Sequence, residues 1–117
     1  MKSRSAKNKG KRLQNSFRDL LLETFKQLEP DDIRSAIMGE SGEDIKLSPA
    51  ARKFIPYSFE CKNQEKLNIW EALSQAEENA GDYDSVVIFK RNRSETYAVI
   101  TVKKFIELID ENSKSSK

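Results

Sequence analysis

Val86-Val87-Ile88-Phe89 is an unbroken apolar run, and it constrains the fold of this chain more than any other stretch. A strand with one wetted face alternates apolar and polar side chains, whereas a continuous run needs cover on both faces. Helices from the same chain must supply that cover, which points to an α/β or α+β sandwich around a mixed sheet. Two amphipathic stripes are available for it. Leu13, Phe17, Leu20, Leu21, Phe25 and Leu28 recur at three- and four-residue spacings, the mark of one helical face, and Glu29-Pro30 ends that helix. Leu67, Trp70, Leu73 and Ala76 form the second stripe, closed by Ala80-Gly81. Trp70 is expected to pack helix against sheet; exposed, it would instead be free to stack on a base.

The remaining segments complete the order helix, three strands, helix, two strands, helix. Strands are expected at residues 34–38 and 43–47, paired across the turn Gly39-Glu40-Ser41-Gly42. Ser48-Pro49-Ala50-Ala51 starts a short connecting helix, with serine at the N-cap and proline at the first helical position, and Pro56 closes it. A strand follows at residues 57–62, another at 97–102, and a closing helix at 103–110. One domain is expected over residues 11–110. Residues 1–10 read as a flexible basic arm and residues 111–117 as a disordered polar tail.

At 117 residues the chain has room for one modest core. Its 37% hydrophobic and 34% charged content is that of a soluble domain with a heavily charged surface. No apolar run approaches a membrane span, and no apolar stretch near the start resembles a signal peptide. The single cysteine rules out an internal disulfide, which fits a reducing cytoplasm, that of a prokaryote or of a phage-infected host. There is no histidine. Ser-His-Asp and Cys-His triads and His-containing zinc sites are thereby excluded, and one cysteine cannot build a Cys-rich zinc site. Catalysis would have to rest on carboxylates, lysine, tyrosine, serine or a bound metal.

The net charge of +2 conceals an uneven distribution. Up to Arg12 there are six basic residues, among them Lys7, Lys9, Lys11 and Arg12, and no acidic one. Such an arm either solubilises the chain or neutralises phosphates with salt-sensitive affinity. Arg52-Lys53, Lys90-Arg91-Asn92-Arg93 and Lys103-Lys104 extend the basic character along the chain, which favours a broad nucleic-acid-binding surface.

Within this frame one constellation carries chemistry. Asp44 follows a Gly-containing turn, and Glu60-Cys61-Lys62 lies on the third strand. Residues i and i+2 of a strand share a face, so Glu60 and Lys62 point one way and Cys61 the other, toward a core. Two carboxylates can bind a hard divalent cation, and a neighbouring lysine can orient or deprotonate a water, which together suit phosphodiester cleavage. An acid-x-lysine triplet alone is weak evidence in so charged a chain: Asp44-Ile45-Lys46 is another. A salt bridge on an edge strand is the competing account. Cys61 has no histidine to activate it and reads as a small buried side chain.

The combination of Lys9-Gly10 opening the first helix, Ser41-Gly42-Glu43-Asp44 at the second strand and Glu60-Cys61-Lys62 on the third resembles the PD-(D/E)xK nuclease superfamily, and within it the small archaeal-type and phage Holliday junction resolvases. The resemblance covers residues 7–102. It implies a restriction-endonuclease-like core, a mixed five-stranded sheet flanked by helices in the order α-β-β-β-α-β-β-α. It also implies that Asp44 and Glu60 are metal-binding carboxylates, that the backbone carbonyl of Cys61 is a further ligand, and that Lys62 is the catalytic lysine. The expected cofactor is Mg²⁺, with Mn²⁺ able to substitute.

One position departs from that pattern. The family glutamate on the first helix is Gln14 here, which can bind a metal-bound water but adds no charge. Glu40 is the expected reserve carboxylate, since Glu43 should face away from Asp44. Ser41 and Gln75 are further auxiliary candidates. Lys7, Lys9, Lys11, Arg12, Arg52, Lys53, Arg91 and Arg93 are the expected DNA contacts. The expected function is a metal-dependent, structure-specific endonuclease that cuts four-way junctions as a homodimer, because a two-fold dimer matches the near two-fold symmetry of the substrate. A less selective branched-DNA or nicking endonuclease, or a non-catalytic DNA-binding relative, are the alternatives.

Overall fold

A computed structural model describes residues 3–115, with side chains for residues 5–114. The element order matches expectation: helix α1 (Ser3–Thr24), strands β1 (Ile33–Ser35) and β2 (Ile45–Leu47), a four-residue helix α2 (Pro49–Arg52), strand β3 (Tyr57–Asn63), helix α3 (Ile69–Ala80), strands β4 (Asp84–Lys90) and β5 (Tyr97–Val99), and helix α4 (Val102–Ser115). Among the described residues no helix is long and apolar enough to cross a membrane.

Several boundaries move, each for a local reason. The helix α1 includes residues 3–10, where the basic arm was expected; this stretch holds no proline and only one glycine, Gly10, to oppose helix propagation. It ends at Thr24, earlier than the apolar spacing suggested. The chain tightens there, with Phe25 N–H donating to Leu21 (2.8 Å) and Leu28 N–H to Phe25 (3.0 Å), and Leu28 still reaches the core. At the other end α4 runs to Ser115, so residues 111–115 of the expected tail are helical. Residues 1–2 of the arm and 116–117 of the tail lie outside the described residues.

The strands form two sheets, not one of five. β1 and β2 pair antiparallel, Ile33 opposite Leu47. β3 lies parallel to β4, Tyr57 opposite Asp84 through Asn63 opposite Lys90, and β5 runs antiparallel on the far side of β4. The five-strand expectation fails at Asp44. Its N–H donates to the Phe59 carbonyl (3.0 Å), which begins a β2–β3 ladder. The next N–H of β3, that of Cys61, donates to the Asp44 carboxylate Oδ2 (2.7 Å) instead of a main-chain carbonyl. A side chain thus occupies the next ladder position, and the two sheets meet through one residue.

The β3–β4 sheet is covered on both faces, as the run at 86–89 required. Phe59, Cys61, Val86 and Ile88 pack with Leu13 and Leu21 of α1, together with Ile33, Ile45 and Ile55. Val87 packs on the opposite face with Ala72 and Ala76 of α3. Phe17 of α1 meets Phe59 edge-on, ring centres 4.8 Å apart. Asn68 caps α3 through the Glu71 N–H (3.1 Å), and Gly81 ends it with φ of 61°. Trp70 corrects expectation. It is 78% exposed, because the small residues Ala72 and Ala76 form the face of α3 that approaches the sheet.

Candidate functional site

Asp44 is held where the two sheets meet. Its N–H binds Phe59, its carbonyl accepts from Ala36 N–H (2.8 Å), and its carboxylate takes the Cys61 N–H. All three bonds leave Oδ1 as its remaining acceptor. Phe59 and Cys61 are two residues apart on β3, so both present their main-chain polar groups to the same edge, the one away from β4. The Cys61 carbonyl therefore opens on the edge away from β4.

Glu60 and Lys62 share the α3 face of β3, as the alternation demanded. Glu60 is buried, with Oε2 3.6 Å from Lys62 Nζ and Oε1 3.4 Å from Asn79 Nδ2 of α3. Both contacts are long, so this buried carboxylate is incompletely neutralised. Burial raises the affinity of Glu60 for its proton, the Asp44 charge adds to it, and Lys62 and Asn79 oppose it. Asp44 is raised as well, first by burial; the Cys61 N–H, Lys62 and Lys46 pull the other way, and Glu43 adds to the rise. Asp44, Glu60 and Lys62 are thus electrostatically coupled across two elements. Burial, followed by these two carboxylates, pushes the Cys61 thiol far up, which removes it as a nucleophile.

Asn79 was missed in the sequence. Gln75, the auxiliary candidate on α3, lies one helical turn earlier. Gln75 is exposed and borders, with Lys62, Gln64 and Lys66, a groove of about 200 Å³. The partner of Glu60 lies one turn further along, and only the packing of α3 on β3 reveals it.

The other acidic residues are engaged elsewhere. Glu40 takes both Arg34 Nη1 and Nη2 (3.1 and 2.9 Å) and the Ile37 N–H (3.0 Å), and these hold its carboxyl down at about 2. It is no free reserve ligand. Glu43 faces away from Asp44, as expected: burial raises it, but Lys46 (3.0 Å) and Arg52 (3.1 Å) outweigh that and leave it below its ordinary range. Lys46 also donates to the Ser41 carbonyl (2.6 Å), so Asp44-Ile45-Lys46 is a structural triplet and the Ser41 main chain belongs to the turn. Arg52 donates to the Tyr57 carbonyl (2.6 Å) and lies 4.2 Å above the Tyr83 ring. It braces the fold instead of projecting toward a ligand.

Gln14 stays close to Asp44. With Lys7, Lys11, Glu40 and Asp44 it lines a groove of about 350 Å³. Gln14 Oε1 is buried with no hydrogen-bond partner among the described residues. Lys11 donates across this groove to the Ala36 carbonyl (3.0 Å), while Lys7 stands exposed on its rim. Lys9 borders a neighbouring groove with Asn63 and Lys66, and Arg91 lines another with Phe89 and Tyr97. Arg12, Lys53 and Arg93 are exposed.

No cluster of three or more acidic or cysteine side chains able to enclose a metal forms among the described residues. The oxygen donors on hand are the Asp44 carboxylate, whose charge is felt by the Glu60 carboxylate, and the orphaned Gln14 oxygen in the Asp44 groove. All are oxygens, the donor type that a hard divalent cation takes, with waters left to fill most of its shell. The chain matches no protein-family model, no curated protein and no solved structure. The site therefore stands on its own chemistry.

Proposed function

We propose that this chain is a Mg²⁺-dependent endonuclease of branched DNA, with four-way junctions as its preferred substrate and a homodimer as its working form. The observation that carries the reading is the union of Asp44, on the bend before β2, with Glu60-Cys61-Lys62 of β3: two carboxylates short of positive charge with a lysine beside them. A bound Mg²⁺ would supply an activated water and charge neutralisation at phosphorus. Asp44 and Glu60 would hold it, with the Cys61 carbonyl and the Gln14 amide oxygen completing or hydrating the set. The Lys62 ammonium donates to the attacking water or to a phosphate oxygen and stabilises the charge that develops there. Gln14 lowers the negative charge of the set by one relative to a glutamate, which favours a single metal.

Lys7 on the groove rim and exposed Arg12, Lys53, Arg91 and Arg93 supply sequence-independent phosphate contacts, so recognition is by shape. The test compares synthetic four-way junctions with matched linear duplexes in Mg²⁺. Paired symmetric nicks on the junction alone support the reading; equal cutting of duplex removes junction specificity. Asp44→Asn, Glu60→Gln and Lys62→Ala should each lower cleavage by roughly a thousandfold with DNA binding retained. Undiminished cleavage in all three would refute the site.

A further inference from the structure

The helix α4 carries its apolar stripe on the wrong side for a monomer. Val102, Phe105, Ile106 and Ile109 fall within one face, and each is at least half exposed, at 76, 53, 55 and 50%. Lys104 projects from the opposite face and ties the helix to the domain, through Asp84 (2.9 Å) and above the Tyr57 ring (5.7 Å). Beyond that tether α4 packs extensively on no other element of the described chain. Four large apolar side chains on one helical turn after another form a contiguous patch, unlike the scattered exposed residues that any surface shows.

The charges of α4 indicate what covers this patch. Lys103 and Lys104 stand in its first turn, Asp110 beyond its middle, and Lys114 in its last turn, where it forms an exposed pair with Asp110 (3.1 Å). Lys103 and Asp110 are seven residues apart and flank the apolar stripe on the same side. When two copies of such a helix pair antiparallel about a two-fold axis, like flanks face each other and the ends are reversed. Lys103 of each copy then comes opposite Asp110 of the other, twice per dimer, and joins the exposed Asp110–Lys114 pair of that copy. Parallel pairing would set unlike flanks against each other and separate Lys103 from Asp110 of the partner.

We propose that α4 is a dimerisation helix that pairs antiparallel with α4 of a second copy, burying Val102, Phe105, Ile106 and Ile109 against their equivalents. This deepens the homodimer in the functional reading above, but its test is a mass and not a cleavage rate, so either can fail without the other. The tether at Lys104–Asp84 would set the relative placement of the two catalytic sites.

The experiment is sedimentation or light scattering on the full chain at low salt, where an exposed charge pair is least screened. The expected mass is twice the 13.5 kDa of one chain. Ile106→Glu with Ile109→Glu should give the monomer with unchanged far-UV circular dichroism, since neither side chain supports the core. Lys103→Asp and Asp110→Lys should each weaken dimerisation severalfold, and the two together should restore it. An introduced Ile106→Cys near the two-fold axis should cross-link on oxidation, because the native Cys61 is buried and unreactive. A monomeric wild type, a dimer indifferent to the glutamate pair, or absence of rescue in the charge swap would each overturn the proposal.

Discussion

On one side of the segment 40–44, Glu40 and Glu43 are each answered by cations: Arg34 grips Glu40 at two points, and Lys46 and Arg52 bracket Glu43. On the other side, Asp44 and Glu60 are more deeply set yet have only long or neutral partners, a 2.7 Å bond from the Cys61 N–H and contacts of 3.4 and 3.6 Å to Asn79 and Lys62. Glu43 and Asp44 are adjacent in sequence and opposite in environment. The same chemical group is pushed below its ordinary range in one and above it in the other. Carboxylates that brace a fold are neutralised where they stand. A pair left short of positive charge is what the proposed cation site requires.

The largest effect on stability should come from the bracing side. Glu43→Gln leaves Arg52 and Lys46 without their shared anion, at a site where all three side chains are at least four-fifths buried. Partly buried pairs fall between surface and interior ones, so the cost should be about 1–2 kcal/mol, a fall of roughly 5–10 °C in melting midpoint. Cleavage per folded molecule should survive. A calorimetric midpoint equal to the wild type would show that Glu43 is not a brace and would dissolve the contrast with Asp44.

That contrast was half legible in the sequence. Strand alternation put Glu60 and Lys62 on one face and Cys61 on the other, and the structure agrees, because period two is a backbone property that packing cannot alter. The cover on both faces of residues 86–89 was readable for the same reason. Asn79 was not readable, since its contact with Glu60 depends on how α3 lies across β3, a tertiary fact. Trp70 belongs to the apolar stripe of α3 by spacing alone, while the actual approach is made by Ala72 and Ala76, small enough to bring helix and sheet together. The split into two sheets turned on a single event, a side-chain oxygen of Asp44 taking a ladder position, which no periodicity encodes.

A smaller stability effect of opposite sign is expected on the charge-deficient side. Asp44 and Glu60 hold their protons more tightly folded than unfolded. Their contribution is therefore most favourable below the ordinary carboxylate range, near pH ~4, and is lost as pH rises through their raised folded values. Glu40 and Glu43 behave in reverse, since their contribution is present above that range and is lost as acid is added. At neutral pH Asp44→Asn and Glu60→Gln should each stabilise the fold by roughly 1 kcal/mol while lowering cleavage as stated above, an exchange of stability for function. Mg²⁺ should raise the melting midpoint of the wild type and leave the Asp44→Asn, Glu60→Gln double variant unmoved. Variants that melt lower than the wild type at pH 7 would place these carboxylates with the bracing group.

The smallest effect belongs to Glu40, and for that reason it separates the two regions most cleanly. Its side chain lines the same groove as Asp44 and Gln14, so proximity alone would make it a ligand. Its bonds say otherwise: both oxygens face Arg34, and Oε1 also accepts the Ile37 N–H that begins the turn. A glutamine there keeps an acceptor for Ile37 and loses only an exposed ion pair, a class of interaction that contributes little in salt. Glu40→Gln should therefore leave the melting midpoint nearly unchanged, the acid limb of the stability profile slightly shortened, and junction cleavage at the wild-type rate. Loss of cleavage in this variant, with its melting curve intact, would mean that Glu40 leaves Arg34 when metal or DNA arrives. The third carboxylate absent at Gln14 would then be supplied by the turn.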